Sequence, residues 1–300
     1  MISKIKNFAK RIVLKTPFLI HLFLRKRFKV ELGLIAGKQI NNNTHPSIIH
    51  FSLNKAATQH TKKILRECII ENGMVPVHIN EYAFYTKFPY LTGQGAEKMV
   101  NFNHIFRPAG YFYSAFGGFV RGISELEKYK VILMVRDPRD ILVSWYYSIA
   151  FSHSIPPITS DRHEEYIRKR KNAKEIMIDE HVISESDRVF NILSLYQTEL
   201  LDKYPHVYLT SYEKMTSNYE MWLRDLLNAC ELEISDQTFQ KYIADNRQLQ
   251  PKEENIYKHI RKGKPGDYLD KLEPETIKFL NNKFSPILDY YHDILNVANS

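Results

Sequence analysis

The hydrophobic pattern is densest at Val131–Val135, five consecutive apolar residues closed by the charge of Arg136. A short, unbroken apolar run predicts a strand buried on both faces, as in a parallel sheet flanked by helices. Asp137 then reads as an N-cap and Pro138 as the first helical residue, so a helix follows at once. The same alternation recurs elsewhere. Ile48–Leu53 predicts a first strand, and Ile64, Leu65, Cys68 and Ile69 keep helical spacing until Asn72-Gly73 stops them. Val75–Ile79 predicts another strand, and so does Lys98–Phe106, where Val100, Phe102, His104 and Phe106 alternate. Between them Asn80–Gly95 is aromatic and turn-rich, which suggests a loop lining a pocket; Pro108–Gly118, rich in Tyr, Phe and Gly, suggests part of a ligand wall.

Downstream, residues 152–187 are polar and charged and read as a solvated helix and loops, or as an insertion beside a site. Asp187 reads as the cap of an amphipathic helix bearing Val189, Ile192, Leu193, Tyr196 and Leu200, followed by a strand at Val207–Ser211. A helix around Trp222, Leu223, Leu226, Leu227 and Cys230, a shorter one from Ser235 and a closing helix Pro274–Leu295 complete the pattern. The fold class expected is α/β: one P-loop-like domain with a central, mostly parallel sheet flanked by helices.

Composition changes this picture little, because 300 residues with 44% hydrophobic content suit one sizeable globular domain. Charge changes it more. Residues 1–38 hold ten Lys and Arg and one Glu, a net of +9, so the overall +8 leaves −1 for the other 262 residues. Basicity this local gives no reason to expect a nucleic-acid partner. The chain divides into a basic amphipathic N-terminal arm and linker, residues 1–46, and an α/β domain, residues 47–300. The arm interleaves its cations with Ile12, Val13, Leu14, Phe18, Leu19, Ile20, Leu22, Phe23 and Leu24. It fits either a peripheral contact with an anionic membrane or a helix docked on the domain with its basic face in water.

The longest apolar run, Pro17–Leu24, is interrupted by His21 and is far short of the roughly 18 to 20 residues of a membrane span. Arg25-Lys26-Arg27 follows where a secretory signal would have small residues. Cys68 and Cys230 both fall on helical apolar stripes and read as buried thiols, so a reducing, cytoplasmic setting is expected. No Cys/His cluster has zinc spacing, and no metal is expected.

Three stretches carry candidate chemistry. Arg136 stands at the carboxyl end of a strand, where open α/β sheets bind ligands, and Ser144 lies two helical turns beyond the cap; the two can converge on one phosphate. Asn54-Lys55-Ala56-Ala57-Thr58-Gln59 is a lysine-bearing strand-to-helix turn, the anatomy of an anion site, without the G-x-x-x-x-G-K-[ST] spacing of nucleotide triphosphatases. In Arg261-Lys262-Gly263-Lys264-Pro265-Gly266-Asp267-Tyr268, two cations beside a glycine can wrap a phosphate.

In this order the stretches resemble the motifs of the sulfotransferases that use 3′-phosphoadenosine-5′-phosphosulfate (PAPS). RDPRDILVSWYYS is similar to the family segment that grips the 3′-phosphate, with Arg136 and Ser144 in the matching positions. Arg261–Tyr268 resembles the family's Arg-Lys-Gly-x-x-Gly-Asp-Trp loop, with Tyr268 in place of Trp. Asn54–Gln59 resembles the Pro-Lys-Ser-Gly-Thr-Thr loop around the 5′-phosphosulfate: Lys55 and Thr58 match, while Asn54, Ala56, Ala57 and Gln59 depart. Ala57 matters most, since it puts a Cβ where the family has glycine. Tyr212-Glu213-Lys214-Met215 resembles the Tyr-Glu-Asp-Met segment whose tyrosine helps hold adenine. The likeness spans about residues 48–270, and Asp245–His259 offers no counterpart of the family's adenine-stacking residues.

The resemblance implies transfer of the sulfuryl group from PAPS to a hydroxyl or amine of a small-molecule, glycolipid or glycan acceptor, leaving 3′-phosphoadenosine 5′-phosphate (PAP). It implies donor contacts from Lys55, Ala56, Ala57, Thr58, Gln59, Arg136, Ser144, Tyr212, Arg261, Lys262 and Gly263. Catalytic roles fall to Lys55, which would offset charge on the departing oxygen, and to His104 as the base, with His60 and His78 as competitors. Two alternatives stay open: an ATP-dependent phosphotransferase of P-loop type, and a nucleotide-binding module without turnover.

Overall fold

A computed structural model describes residues 17–249, 253–257 and 261–297. The apolar run forms the strand Lys130–Val135 (β4), next to the strand Ile48–Ser52 (β1), all of whose residues are buried. With Val75–Val77 (β2), Tyr111–Phe116 (β3) and Tyr208–Ser211 (β5) they make one sheet in the order β2-β3-β1-β4-β5, every pair parallel. Ile49 pairs with Val131 and Phe51 with Leu133, both faces being covered by helices.

The helices of seven residues or more among the described residues are Pro17–Arg27 (α1), Lys29–Ile35 (α2), Thr58–Glu71 (α3), Ile79–Tyr85 (α4), Pro138–Tyr147 (α5), His163–Glu175 (α6), Ile178–Leu195 (α7), Tyr219–Ala229 (α8), Asp236–Leu249 (α9) and Pro274–Val297 (α10). Strand order decides where a ligand can sit. From β1 the chain moves to one side of the sheet, and from β4 to the other. The crevice between the carboxyl ends of β1 and β4 is therefore the topological switch point, where such sheets bind ligands.

Five expectations are corrected. Lys98–Phe106 is not a strand: Ala96–Met99 is a helical turn and Val100–Ile105 continues it in tighter form, burying Met99 and Ile105 while Val100 is 69% exposed. The third strand of the sheet is instead Tyr111–Phe116, so the middle of Pro108–Gly118 is sheet interior and no residue of the segment lines the main cavity. Ile79–Tyr85 is helical, with Ile79 and Ala83 buried one turn apart, and Asn80–Gly95 does not line that cavity either. The helix assigned to start at Asp187 starts at Ile178, and the one from Ser235 is not short, since α9 runs to Leu249.

The described part of the N-terminal arm packs on the domain. Ile20, Leu24 and Phe28 form a cluster against Tyr82 and Tyr85, while Arg25 and Lys26 face solvent. Arg27 pairs with Glu81, which also holds Lys62 at 3.0 Å. Glu31 is 2% exposed and accepts the His78 N–H at 2.6 Å, capping α4 from another element. Burial raises its carboxyl pKa. The arm's cations before residue 17 lie outside the described residues.

Candidate active site

A cavity of about 380 Å³ opens at the switch point. Lys55, Ala57, Thr58 and Gln59 reach it from the β1–α3 turn, Arg136 and Ser144 from β4 and α5, Tyr212 from the end of β5, and Arg261, Lys262 and Gly263 from the C-terminal loop. Segments as far apart in sequence as Lys55 and Arg261 thus meet, because parallel strands bring their carboxyl ends to one edge and the C-terminal loop closes over it.

The β1–α3 turn is bent twice. Lys55 has φ +79° and Ala57 φ +55°, left-handed conformations that a Cβ disfavours. Ala57 is the residue before α3 and offers no side-chain cap, so the first N–H groups of that helix have no intrahelical partner. Ala56 points the other way, into the core, at 0% exposure. The Thr58 hydroxyl turns back to the strand, donating to the Leu53 carbonyl at 3.1 Å and lying 2.9 Å from Ser52 Oγ. That ring of bonds closes the turn from behind.

Arg136 is held on three sides. Its Nη1 donates to the Lys55 carbonyl at 3.1 Å, its Nη2 to Asp140 Oδ2 at 3.2 Å, and its guanidinium lies over the Tyr212 ring. Its Nε is buried with no partner among the described residues. Asp137 caps α5 by accepting the Arg139 N–H at 2.9 Å, as its sequence position predicts, and Glu213 accepts the Asp137 N–H at 3.1 Å. Arg261 pairs with Asp267 and Glu254 and lies 4.2 Å from the centre of the Tyr147 ring. Lys262 pairs with Asp267 at 3.0 Å.

Three cations close to one another raise the energy of charging any of them. Burial, then Arg136 and Arg261, bring the Lys55 pKa down to about 8. A polyanion in the cavity would relieve that repulsion.

His104 is not brought to this site. It sits on the Val100–Ile105 turn, its Nε2 3.0 Å from the Ile35 carbonyl, and it does not line the cavity. The misread strand is the reason: a strand would have carried it to the sheet edge. His78, a competitor, precedes α4 and does not line the cavity. His60, the other, does; its Nε2 is 3.1 Å from Tyr219 Oη, and burial lowers its pKa to about 4. The cavity also takes Trp145 and His153, which sequence reading did not single out. Trp145 follows Ser144 directly, a signal that was available. His153 was hidden in a polar stretch after the π-turn Ser148–Ser152, where its ring stacks on Tyr166 at 5.3 Å. Asp245–His259, which shows no adenine-stacking counterpart in sequence, lies partly outside the described residues, though Asn246 lines the cavity.

Among known proteins, the family model described as the sulfotransferase domain matches residues 123–290. No curated protein sequence matches the chain. Similar solved structures include a mouse sulfotransferase complexed with PAP, 13% identical over 90% of this chain and 93% of that one, with a TM-score of 0.49. They also include a retinol dehydratase in complex with androsterone and inactive cofactor PAP, 14% identical over 85% of this chain and 83% of that one, with a TM-score of 0.44.

Proposed function

Since the chain belongs to the sulfotransferase family, we propose that it transfers the sulfuryl group of PAPS to an acceptor hydroxyl or amine in the cavity built on Lys55, Arg136 and Arg261. The observation that carries this reading is the convergence of those three cations on one cavity, with Lys55 already strained electrostatically by the other two. Arg136, Ser144 and Arg261 hold the 3′-phosphate, the group that distinguishes this donor from ATP. Lys55 and the open start of α3 face the 5′ end, where negative charge builds on the bridging oxygen as its bond to sulfur breaks and the acceptor's bond forms. Tyr212 and the neutral His60 ring offer flat walls for the base.

The acceptor's proton goes to a cavity group, and His153 takes this role in place of His104 because it lines the cavity and His104 does not. Acceptors are small molecules or lipid-linked and glycan alcohols. Exposed Leu22, Arg25 and Lys26 on α1 support peripheral contact with an anionic membrane, which cosedimentation with anionic but not neutral vesicles would report. An ATP-dependent phosphotransferase would need a magnesium-binding carboxylate at the β4 tip, where Arg136 stands.

Thermal unfolding with 3′,5′-ADP, ADP and ATP tests the donor. Ligand at about 100 times its dissociation constant adds roughly 2.7 kcal/mol. A midpoint shift with 3′,5′-ADP alone is expected; a preference for ATP would overturn the proposal.

A further inference from the structure

We propose that Asp140 is the positioning residue that builds the 3′-phosphate site, by fixing the Arg136 guanidinium and the C-terminal loop against each other. The proposal rests on the reading of the cavity as a PAPS site. Asp140 is 0% exposed and is not among the cavity's lining residues, so it acts only through other groups. Its Oδ2 accepts from Arg136 Nη2 at 3.2 Å and from the Gly266 N–H at 2.8 Å, and its Oδ1 accepts from the Tyr268 N–H at 3.1 Å. One buried carboxylate thus joins the tip of β4, the first turn of α5 and the loop that carries Arg261, Lys262 and Gly263.

A buried carboxylate is retained only when charge and lone pairs are both satisfied, and here one cation and two backbone donors do so. The loop is shaped to deliver those donors. Gly266 has φ +80°, while a Cβ there would meet nothing within 4 Å, so it is the left-handed turn and not lack of space that calls for glycine. That turn presents two N–H groups, two residues apart, to the same carboxylate. Arg261 and Lys262 then arrive opposite Arg136 before any ligand binds.

Asn keeps the shape of Asp but replaces one acceptor oxygen with a donor, which must face Arg136 and Gly266 or Tyr268. The test is titration calorimetry of the full chain with 3′,5′-ADP and 5′-AMP, for the native protein and Asp140→Asn. The native protein should prefer 3′,5′-ADP at least about tenfold, the 3′-phosphate adding charge-assisted bonds. Asp140→Asn should lose most of that preference while its affinity for 5′-AMP stays within about threefold, a split that general loosening would not give. A folded variant that keeps the native preference overturns the proposal. A native protein with no preference overturns the donor reading itself, and the proposal with it.

If Asp140→Asn does not fold, amide exchange in the ligand-free native protein decides. Protection of Gly266 and Tyr268 by about a hundredfold or more supports a loop anchored in advance; exchange at unprotected rates overturns it.

Discussion

The guanidinium carbon of Arg136 lies 4.1 Å from the centre of the Tyr212 ring, so the cation at the tip of β4 is stacked on the first residue after β5. Tyr212 is only 8% exposed, which keeps water out of that contact. A desolvated cation–π pair is worth about 2 kcal/mol, or more than tenfold in affinity. Tyr212→Leu is therefore expected to weaken 3′,5′-ADP binding by roughly tenfold, and Tyr212→Phe to leave it within about threefold. Calorimetric titration separates the two; equal losses in both variants would assign the effect to the hydroxyl instead of the ring.

The left-handed Ala57 is a second test of the site's construction. Its φ of +55° costs about 1 to 2 kcal/mol for a residue with a Cβ, while glycine adds about 0.4 to 1 kcal/mol of chain entropy to the unfolded state. Ala57→Gly should thus stabilise the protein by roughly 0.5 kcal/mol, and Ala57→Val should destabilise it by about 2 kcal/mol. Denaturant unfolding reads both. A destabilised glycine variant would show that the turn is held by contacts of the methyl group.

Why some of this was legible and some was not follows from particular residues. Val131–Val135 cannot be a solvent-facing element, and Asp137-Pro138 fixes the next helix start, so Arg136 and Ser144 were placed correctly relative to the sheet. Val100–Phe106 misled because alternation was counted with His104 as part of an apolar face. The pattern that matters there is Met99, Phe102 and Ile105, three apart, which packs inward while Val100 does not. In α7 the polar His181 and Ser186 are buried alongside Val182 and Val189, so the first half of its apolar stripe was masked and Asp187 looked like a start. Asp140 went unremarked for a different reason. Its partners are the backbone of residues 266 and 268, and no side-chain pattern encodes them.

Replacing the two histidines in turn tests the proton acceptor. His153→Ala is expected to lower kcat by roughly 10², the usual worth of a general base, with little change in 3′,5′-ADP affinity. His104→Ala should leave kcat within about twofold, because its ring engages the Ile35 carbonyl away from the cavity. Initial rates at saturating donor decide. Loss of turnover in the His104 variant alone would restore it as the base.

Lys55 makes donor binding depend on pH. Its free-state pKa is lowered to about 8 by burial and by Arg136 and Arg261, and a bound polyanion favours the ammonium, raising that value in the complex. Binding therefore takes up a proton wherever Lys55 is neutral in the free protein. Between about pH 7 and 8, where the ligand's phosphates are already fully charged, affinity for 3′,5′-ADP should change little, and it should fall as pH rises further, approaching tenfold per unit. Lys55→Met should bind more weakly at pH 7 and lose the slope between pH 8 and 9. Titrations in buffers of different ionisation enthalpy count the proton directly, and a slope that persists in Lys55→Met would move the effect to another group.

His50 makes folding stability depend on pH in the opposite range. It lies in the middle of β1 at 0% exposure, and neither ring nitrogen has a partner among the described residues. Burial, then the charge of Lys62, lowers its pKa to about 3. The folded-state value is below the unfolded one of about 6.5, so below pH 6.5 the unfolded chain binds a proton that the native state refuses. The stability His50 contributes by staying neutral is complete above pH 6.5 and is lost progressively as pH falls toward 3. The slope is about 1.4 kcal/mol per unit for each such group. His78, lowered to about 3, and His60, lowered to about 4, both chiefly by burial, add to it in the same window. Between pH 6 and 5 these three histidines together should cost the native protein roughly 3 to 4 kcal/mol. His50→Leu, which keeps the volume and removes the titration, should cut that loss by about a third even if its absolute stability differs. Guanidinium unfolding at the two pH values gives both slopes. Equal slopes in the two proteins would mean that His50 takes up its proton in the folded state, and so that water reaches its ring.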